Sequence, residues 1–184
     1  MKKWKLLSEE CIENNEWIDI RRCYYQLPNS KTYGPYYNFH KRNYTIIVPV
    51  DENNKIICVR QYRHGFDSIT TEFPAGAIEE SDYTNNKETA AMQCAMRELS
   101  EESGYTSNDW MPLITIPSSP TDADNYAYCF LARNCKQTEK MHLDETEDLN
   151  FITYTPQEID QLIQNSQFQQ PLHVMCWLLA KQHI

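Results

Sequence analysis

The sequence is poor in basic side chains. Its 184 residues include 17 Lys and Arg against 26 Asp and Glu, which gives a formal net charge of −9 at pH 7. A protein that binds the phosphate backbone of nucleic acid needs clustered Lys and Arg, and the longest basic groups here are pairs such as Arg21-Arg22 and Lys41-Arg42. The composition therefore argues against nucleic acid as a partner.

The sequence also lacks the patterns of a membrane protein or a disulfide-rich secreted protein. No window approaches 18 apolar residues, and the basic start Met1-Lys2-Lys3-Trp4 is not followed by an apolar run, so we expect neither a membrane span nor a signal peptide. The seven cysteines include no Cys-x-x-Cys pair, and none of the five histidines has a partner at metal-binding spacing. We interpret the cysteines as reduced thiols of a cytoplasmic protein.

The strongest chemical pattern lies between Glu72 and Tyr105. Near its end, three carboxylates fall within about 100° of arc on one face of a predicted helix: Glu98, Glu101 and Glu102. A set of apolar residues recurs at spacings of three and four on another face: Met92, Ala95, Met96 and Leu99. We expect this helix to begin near Asn85 or Asn86 and to end at Gly104 as a C-cap.

Three like charges so close together repel one another, so the pattern favours a bound cation. Hard divalent cations prefer oxygen ligands, and Mg²⁺ in proteins is held by one or two carboxylates together with substrate phosphates. The alternative is a solvated acidic face. In both cases we expect Glu98 and Glu102 to lie on a face that packs against nothing.

The residues from Arg97 to Tyr105, preceded by a Pro-Ala-Gly turn, resemble the Nudix box of the Nudix hydrolases. The resemblance implies that Glu98 and Glu102 are the principal ligands of Mg²⁺ or Mn²⁺, that Glu101 is a third or water-orienting carboxylate, and that Ala75 supplies a backbone carbonyl. Where the family has five residues between the Gly and the first Glu, eleven separate Gly76 from Glu88. We interpret residues 81–87 as an insertion, which leaves the pairing of Arg97 with Glu88 open.

The order of features along almost the whole chain is similar to the ADP-ribose pyrophosphatase branch of that family. This implies a Nudix α/β/α sandwich around a mixed sheet and a homodimer in which the N-terminal sheet contributes to the partner's pocket. It also implies a set of substrate-binding residues: Trp17 and Tyr37 on the base, Arg42 and Arg63 on the diphosphate, and Glu72 beside them. Arg60 and Arg63 are three apart on one strand, so only one of them can point at the site.

Two segments are predicted as domains or subdomains. Residues 1–43 are expected to form a small antiparallel sheet with turns at Asn14-Asn15 and at 27–31, where Asn29 can take the left-handed conformation. Eight aromatic residues in this segment predict burial against a second chain. Residues 44–184 are expected to form the Nudix domain, with a hairpin over 44–63, strands at 69–73, 110–116, 126–132 and 149–154, and helices after Pro156 and over 172–179.

Two acidic loops follow the predicted helix, and the first bears on the catalytic base. Many relatives carry a Ser-Pro-Gly stretch followed by a catalytic Glu, but here Ser119-Pro120 is followed by Asp122 and Asp124, so either aspartate is the base or neither is. The acidic run 141–148 is interpreted as a solvated surface loop.

The resemblance implies Mg²⁺-dependent hydrolysis of a nucleoside diphosphate linked to another moiety, with ADP-ribose cleaved to AMP and ribose 5-phosphate. Another NDP-sugar such as GDP-mannose is the alternative substrate. A catalytically weak nucleotide-binding or regulatory module with the same fold is the alternative function.

Overall fold

The computed structural model describes residues 1–15, 18–83, 87–143 and 148–184. The strands in this part of the chain are β1 Lys5–Asn14, β2 Asp19–Gln26, β3 Thr32–Phe39, β4 Tyr44–Asp51, β5 Ile56–Arg63, β6 Ser68–Glu72, β7 Ala75–Ala77, β8 Tyr105–Thr106, β9 Asp109–Pro117, β10 Tyr126–Gln137 and β11 Leu149–Tyr154. The α-helices are α1 Lys87–Ser103, α2 Pro156–Gln164 and α3 Pro171–Ala180. None of them is both long and apolar enough to cross a membrane.

The chain forms two compact units. The first combines Met1–Arg42 with Pro117–Tyr126, and the second combines Asn43–Ile116 with Ala127–Ile184. The loop between β9 and β10 therefore belongs to the same unit as the N-terminal strands.

The first unit contains a three-stranded antiparallel sheet in the order β1-β2-β3. Its second turn closes through a hydrogen bond from the Leu27 amide to the Lys31 carbonyl at 2.8 Å. Ser30, at φ 68°, is the left-handed residue of this turn, so the prediction for Asn29 was wrong. Asn29 instead uses its side-chain oxygen to accept the Lys31 amide at 3.1 Å, which stabilises the turn from the preceding position.

The second unit is built on an eight-stranded mixed sheet with the path β11-β5-β4-β10-β8, while β6, β7 and β9 pair with β5, β4 and β10. β4 and β10 are parallel. The antiparallel pairs are β10 with β8, β11 with β5, β4 with β5, β4 with β7 and β5 with β6. The predicted hairpin of β4 and β5 is paired at Val50 and Ile56 beside its turn. Further from the turn, β4 pairs with β7 and β10, and β5 pairs with β6 and β11.

Alternate side chains of β4 enter two different hydrophobic clusters, because successive residues of a strand point to opposite faces of the sheet. Ile46, Val48 and Val50 pack in the cluster that includes Ile159 of α2 and Trp177 of α3. Ile47 packs in the cluster that includes Ala91, Ala95 and Leu99 of α1. Helices thus cover both faces of a mixed sheet, which confirms the predicted α/β/α sandwich.

Helix α1 ends at the predicted residue, but the face that it buries differs from the predicted one. Gly104 has φ 72°, and its amide bonds to the Ser100 carbonyl at 2.7 Å. The buried apolar residues of the helix are Ala90, Ala91, Cys94, Ala95 and Leu99, whereas Met96 is 38% exposed, so the prediction for Met96 was wrong. The buried face of the helix also includes the side that carries the carboxylates. Met96 therefore lies on the opposite, exposed face.

Candidate active site

The site in the second unit is built where the C-terminal half of α1 meets the turn leading into β7. Glu98 is 6% exposed and Glu102 is 3% exposed, so the expectation that both lie on a face that packs against nothing was wrong. The Ala75 amide donates to Glu102 Oε2 at 3.1 Å. Because the turn folds over the helix, two acidic side chains are buried beside backbone groups.

Gly76 is required at this turn by the close approach of Glu98. A Cβ atom added at Gly76 would lie 2.0 Å from the Glu98 Cδ and Oε1 atoms. Any larger residue would displace either the carboxylate or the backbone of β7. The glycine of the Pro-Ala-Gly turn is therefore explained by the space that the Glu98 carboxylate occupies.

Arg97 ties the carboxylate helix to the segment before it. Its guanidinium bonds to Asp82 at 3.2 and 3.3 Å and to the Ala77 carbonyl at 3.2 Å. It also bonds to Glu101 at 2.8 Å and pairs with Glu98 at 2.7 Å. Burial opposes the charge on Arg97, but the surrounding carboxylates outweigh it and raise the pKa of the arginine above its ordinary value.

Asp82 is a site residue that the sequence analysis missed, because it was counted as part of an insertion. It is 5% exposed. Burial would raise its pKa, but hydrogen bonds from Arg97 and from the Glu79 amide hold the pKa below its ordinary value. Five residues separate Gly76 from Asp82, which is the family spacing to the first acidic residue, and this signal could have identified it. The Glu88 side chain lies outside the described residues.

Arg63 and Glu72 form a second charged pair in the same unit. Arg63 Nε and Nη2 donate to the two Glu72 oxygens at 2.9 and 2.7 Å, and Thr70 donates its hydroxyl to the same carboxylate. Burial would raise the pKa of Glu72, yet these donors keep it below its ordinary value. Arg60, on the other face of β5, is exposed.

The remaining predicted site residues with described positions belong to the first unit. Tyr37 is an exposed side chain of β3, and Arg42 uses its backbone carbonyl to accept the Asn125 amide group at 2.9 Å. Asp124 accepts from His40 Nδ1 at 2.7 Å and from the Lys41 amide at 3.2 Å. Asp122 accepts from the Ser119 hydroxyl at 2.5 Å. Trp17 lies outside the described residues.

The residues beside Gly76 fit a hard divalent cation. Buried carboxylate oxygens next to a backbone turn are the ligands that Mg²⁺ and Mn²⁺ prefer, and the missing Cβ of Gly76 gives Glu98 room to approach that turn. Within the described ranges, no three His, Cys, Asp or Glu side chains are gathered into a ready-made metal cluster. A cation here would therefore draw its remaining ligands from backbone, water or substrate oxygens.

The chain is similar in sequence to known proteins. The sequence model of the NUDIX domain family matches residues 40–175 of the chain. The chain is 30% identical to an ADP-ribose pyrophosphatase of Bacillus subtilis (strain 168) over 88% of this chain and 83% of that protein. It is 29% identical to a methanol dehydrogenase activator of Bacillus methanolicus over 86% and 82% of the two chains.

A solved structure shares the fold. The crystal structure of an ADP compounds hydrolase superposes with a TM-score of 0.84 at 21% identity, covering 99% of this chain and 94% of that one.

Proposed function

The chain belongs to the Nudix hydrolase family, and on that premise we propose that it is a metal-dependent hydrolase of a nucleoside diphosphate linked to another moiety. The first candidate substrate is ADP-ribose, since the similar protein of Bacillus subtilis is an ADP-ribose pyrophosphatase. The observation that carries the proposal is the burial of Glu98 and Glu102 against the Ala75–Gly76 turn. Buried acids at such a position are stabilised by a cation.

In the proposed reaction, the oxygen of a water molecule forms a bond to one phosphorus atom of the diphosphate. The bond between that phosphorus and the bridging oxygen breaks, the water gives a proton to the general base, and the products are AMP and ribose 5-phosphate. Glu98, Glu102 and the Ala75 carbonyl would hold Mg²⁺ or Mn²⁺, with Glu101 as a further carboxylate. When bound, such an ion lowers the pKa of water and neutralises phosphate oxygens.

Arginine side chains and aromatic rings are proposed as the remaining parts of the site. Arg63 and Arg42 are proposed to bind the diphosphate, where fixed positive charge stabilises the charge that develops on the phosphate oxygens. Glu72 is fully buried and both its oxygens accept from Arg63, so we propose that it acts on the substrate by orienting that arginine. Trp17 and Tyr37 are proposed to stack on the base, which contributes about 1–3 kcal/mol per base.

Asp122 and Asp124 remain the proposed candidates for the general base. Asp124 is engaged by His40 and Lys41, whereas Asp122 is held by a single described serine hydroxyl. Because fewer groups restrain it, Asp122 is the better candidate of the two.

We also propose that the protein is a cytoplasmic homodimer assembled through residues 1–43. All ten residues of β1 are exposed, and the exposed apolar side chains of this segment include Trp4, Leu6, Leu7, Ile12, Tyr33 and Tyr37. A second copy that covers this surface would bring the stacking residues of one protomer to the site of its partner.

A substrate panel tests the proposed reaction. Purified protein is incubated with ADP-ribose, GDP-mannose and other NDP-sugars, dinucleotides and nucleoside triphosphates under saturating Mg²⁺ or Mn²⁺, and products are identified by mass spectrometry. We expect AMP and ribose 5-phosphate from ADP-ribose, at a higher kcat/KM than any other member gives. Preferred cleavage of GDP-mannose would reassign the substrate. Tight ADP-ribose binding by calorimetry without any product would instead indicate a nucleotide-binding module.

A further inference from the structure

His173 of α3 is buried beside the site although no motif includes it. Its Nδ1 atom accepts the Phe73 amide hydrogen at 3.1 Å, and its ring lies nearly parallel to that of Phe73, at 7° with 6.1 Å between centroids. The contact joins residues 100 positions apart. It anchors the backbone at the end of β6 to the C-terminal helix.

The hydrogen bond defines the protonation state of the histidine. An imidazole nitrogen that accepts a backbone amide carries no proton, so the ring proton is on Nε2. Burial lowers the pKa of His173 to about 4, although the neighbouring Glu72 acts in the opposite direction. The neutral ring is therefore the form present at neutral pH, and it is the form that can accept this bond.

The anchored amide is the last backbone donor before the turn that carries Ala75. Pro74 has no N–H group, and its carbonyl accepts the Ile47 amide at 2.9 Å. The next donor is the Ala75 amide, which bonds to Glu102. His173, Ile47 and Glu102 thus hold three consecutive residues, and His173 is the one that acts from outside the sheet and α1.

We propose that His173 is a positioning residue for the metal-binding turn, in which its Nδ1 atom anchors the Phe73 amide and so places Ala75 and Gly76 against Glu102 and Glu98. The assignment rests on the proposed function for the identity of the metal ligands. Loss of this acceptor would leave a buried amide unsatisfied and free the turn to move away from the helix.

Two substitutions separate the hydrogen bond from the packing of the ring. His173→Phe keeps an aromatic ring against Phe73 and removes the acceptor. His173→Asn loses ring volume, but its side-chain oxygen can occupy the place of Nδ1. Phe168→Leu is the matched control, because Phe168 is buried and its ring lies 4.9 Å from that of Phe73 without bonding to its backbone.

The first measurement is Mn²⁺ binding to substrate-free protein by electron paramagnetic resonance. Removing an outer partner of a metal site typically costs about 10- to 100-fold in affinity, and we expect a loss in this range for His173→Phe. His173→Asn should recover most of the affinity, and Phe168→Leu should bind Mn²⁺ as the wild type does, even if both melt at lower temperature. An equal loss of Mn²⁺ affinity in all three variants would show that His173 acts only through packing and would overturn the proposal.

The second measurement is amide hydrogen exchange at Phe73 in metal-free protein. Exchange should be faster in His173→Phe than in either other variant, because the amide loses its acceptor only there. Unchanged exchange would overturn the positioning role even if the enzyme is active. Faster exchange in His173→Phe, together with a wild-type protein that binds no Mn²⁺, would confirm the anchor, refute its metal-positioning role and reject the proposed metal site.

Discussion

At the scale of single residues, Glu98 and Glu102 are more constrained than their spacing on a helix suggests. Each is almost fully buried. Glu98 occupies the space that a Cβ atom of residue 76 would need, and Glu102 accepts a hydrogen bond from the Ala75 amide. Glu101, between them, is more exposed and bonds to Arg97. The three acids of the motif therefore occupy three different environments, and their substitution should have different effects.

The first prediction concerns these acids. Glu98→Gln and Glu102→Gln should each lower the kcat of ADP-ribose hydrolysis by about a hundredfold or more, because each removes a carboxylate ligand of the proposed cation, whose positive charge stabilises the transition state. Glu101→Gln should cost less. Steady-state kinetics together with circular dichroism melts would separate loss of activity from loss of fold. Wild-type activity in Glu102→Gln would contradict the ligand assignment.

The second prediction concerns the carboxylate that pairs with Arg97 from outside the helix. Asp82→Asn should lower the free energy of unfolding at pH 7 by about 1–3 kcal/mol, because a buried charge-assisted hydrogen bond is weakened. Glu101→Gln removes a more exposed partner of the same arginine and should cost about 0–1 kcal/mol. Urea unfolding of both variants makes the comparison, and equal costs would contradict the assigned role of Asp82.

The same pair predicts a pH dependence. Since the pKa of Asp82 is lowered in the folded protein from an ordinary value of 3.8, the unfolded chain binds a proton there at higher pH than the folded one. The stabilisation is present above 3.8 and is lost as pH falls through the lower folded value. The difference between wild type and Asp82→Asn should therefore be constant from pH 7 to pH 5 and should shrink by pH 3.

At the scale of elements, the end of α1 depends on one glycine. Gly104 has a positive φ, and a Cβ there would lie 2.5 Å from the Glu139 carbonyl oxygen. Gly104→Ala should lower the free energy of unfolding by about 1–3 kcal/mol through backbone strain and this clash. Gly65→Ala is the control, because an added Cβ meets no atom within 4 Å at that position. Urea unfolding that gives the two variants the same stability would contradict the C-cap assignment.

At the scale of the whole molecule, the exposed strand β1 is the proposed dimer contact. Wild-type protein should sediment as a dimer, and the double variant Leu6→Lys with Leu7→Lys should sediment as a monomer, because charge is placed on both faces of this strand. Leu178→Lys, at an equally exposed leucine of α3, is the control and should remain dimeric. Sedimentation velocity of all three tests this, and a monomeric wild type would reject the dimer.

Point variants are preferable to deletion of residues 1–43 for this purpose. The loop 117–126 bonds to Phe39 through the Asp122 carbonyl and the Asp124 amide, and to Lys41 through the Asp124 side chain. Deletion would strip that loop of its partners as well as remove the exposed surface. Loss of activity could then not be assigned to loss of the dimer.

The features that the sequence by itself determined are those decided within a few residues along the chain. The spacing of Glu98, Glu101 and Glu102, the C-cap at Gly104 and the alternation of β4 between two core layers follow from helix and strand periodicity and from the conformational freedom of glycine. Together with the resemblance to the Nudix box, these features were sufficient to predict the sandwich fold and the family.

The tertiary structure alone decided how those residues are buried and which groups hold them. Asp82 reaches Arg97 across 15 positions and His173 reaches Phe73 across 100, and the rotation of α1 that buries Glu98 and exposes Met96 depends on the turn packed above it. Such contacts depend on which strands and helices become neighbours, so periodicity within one element carries no information about them.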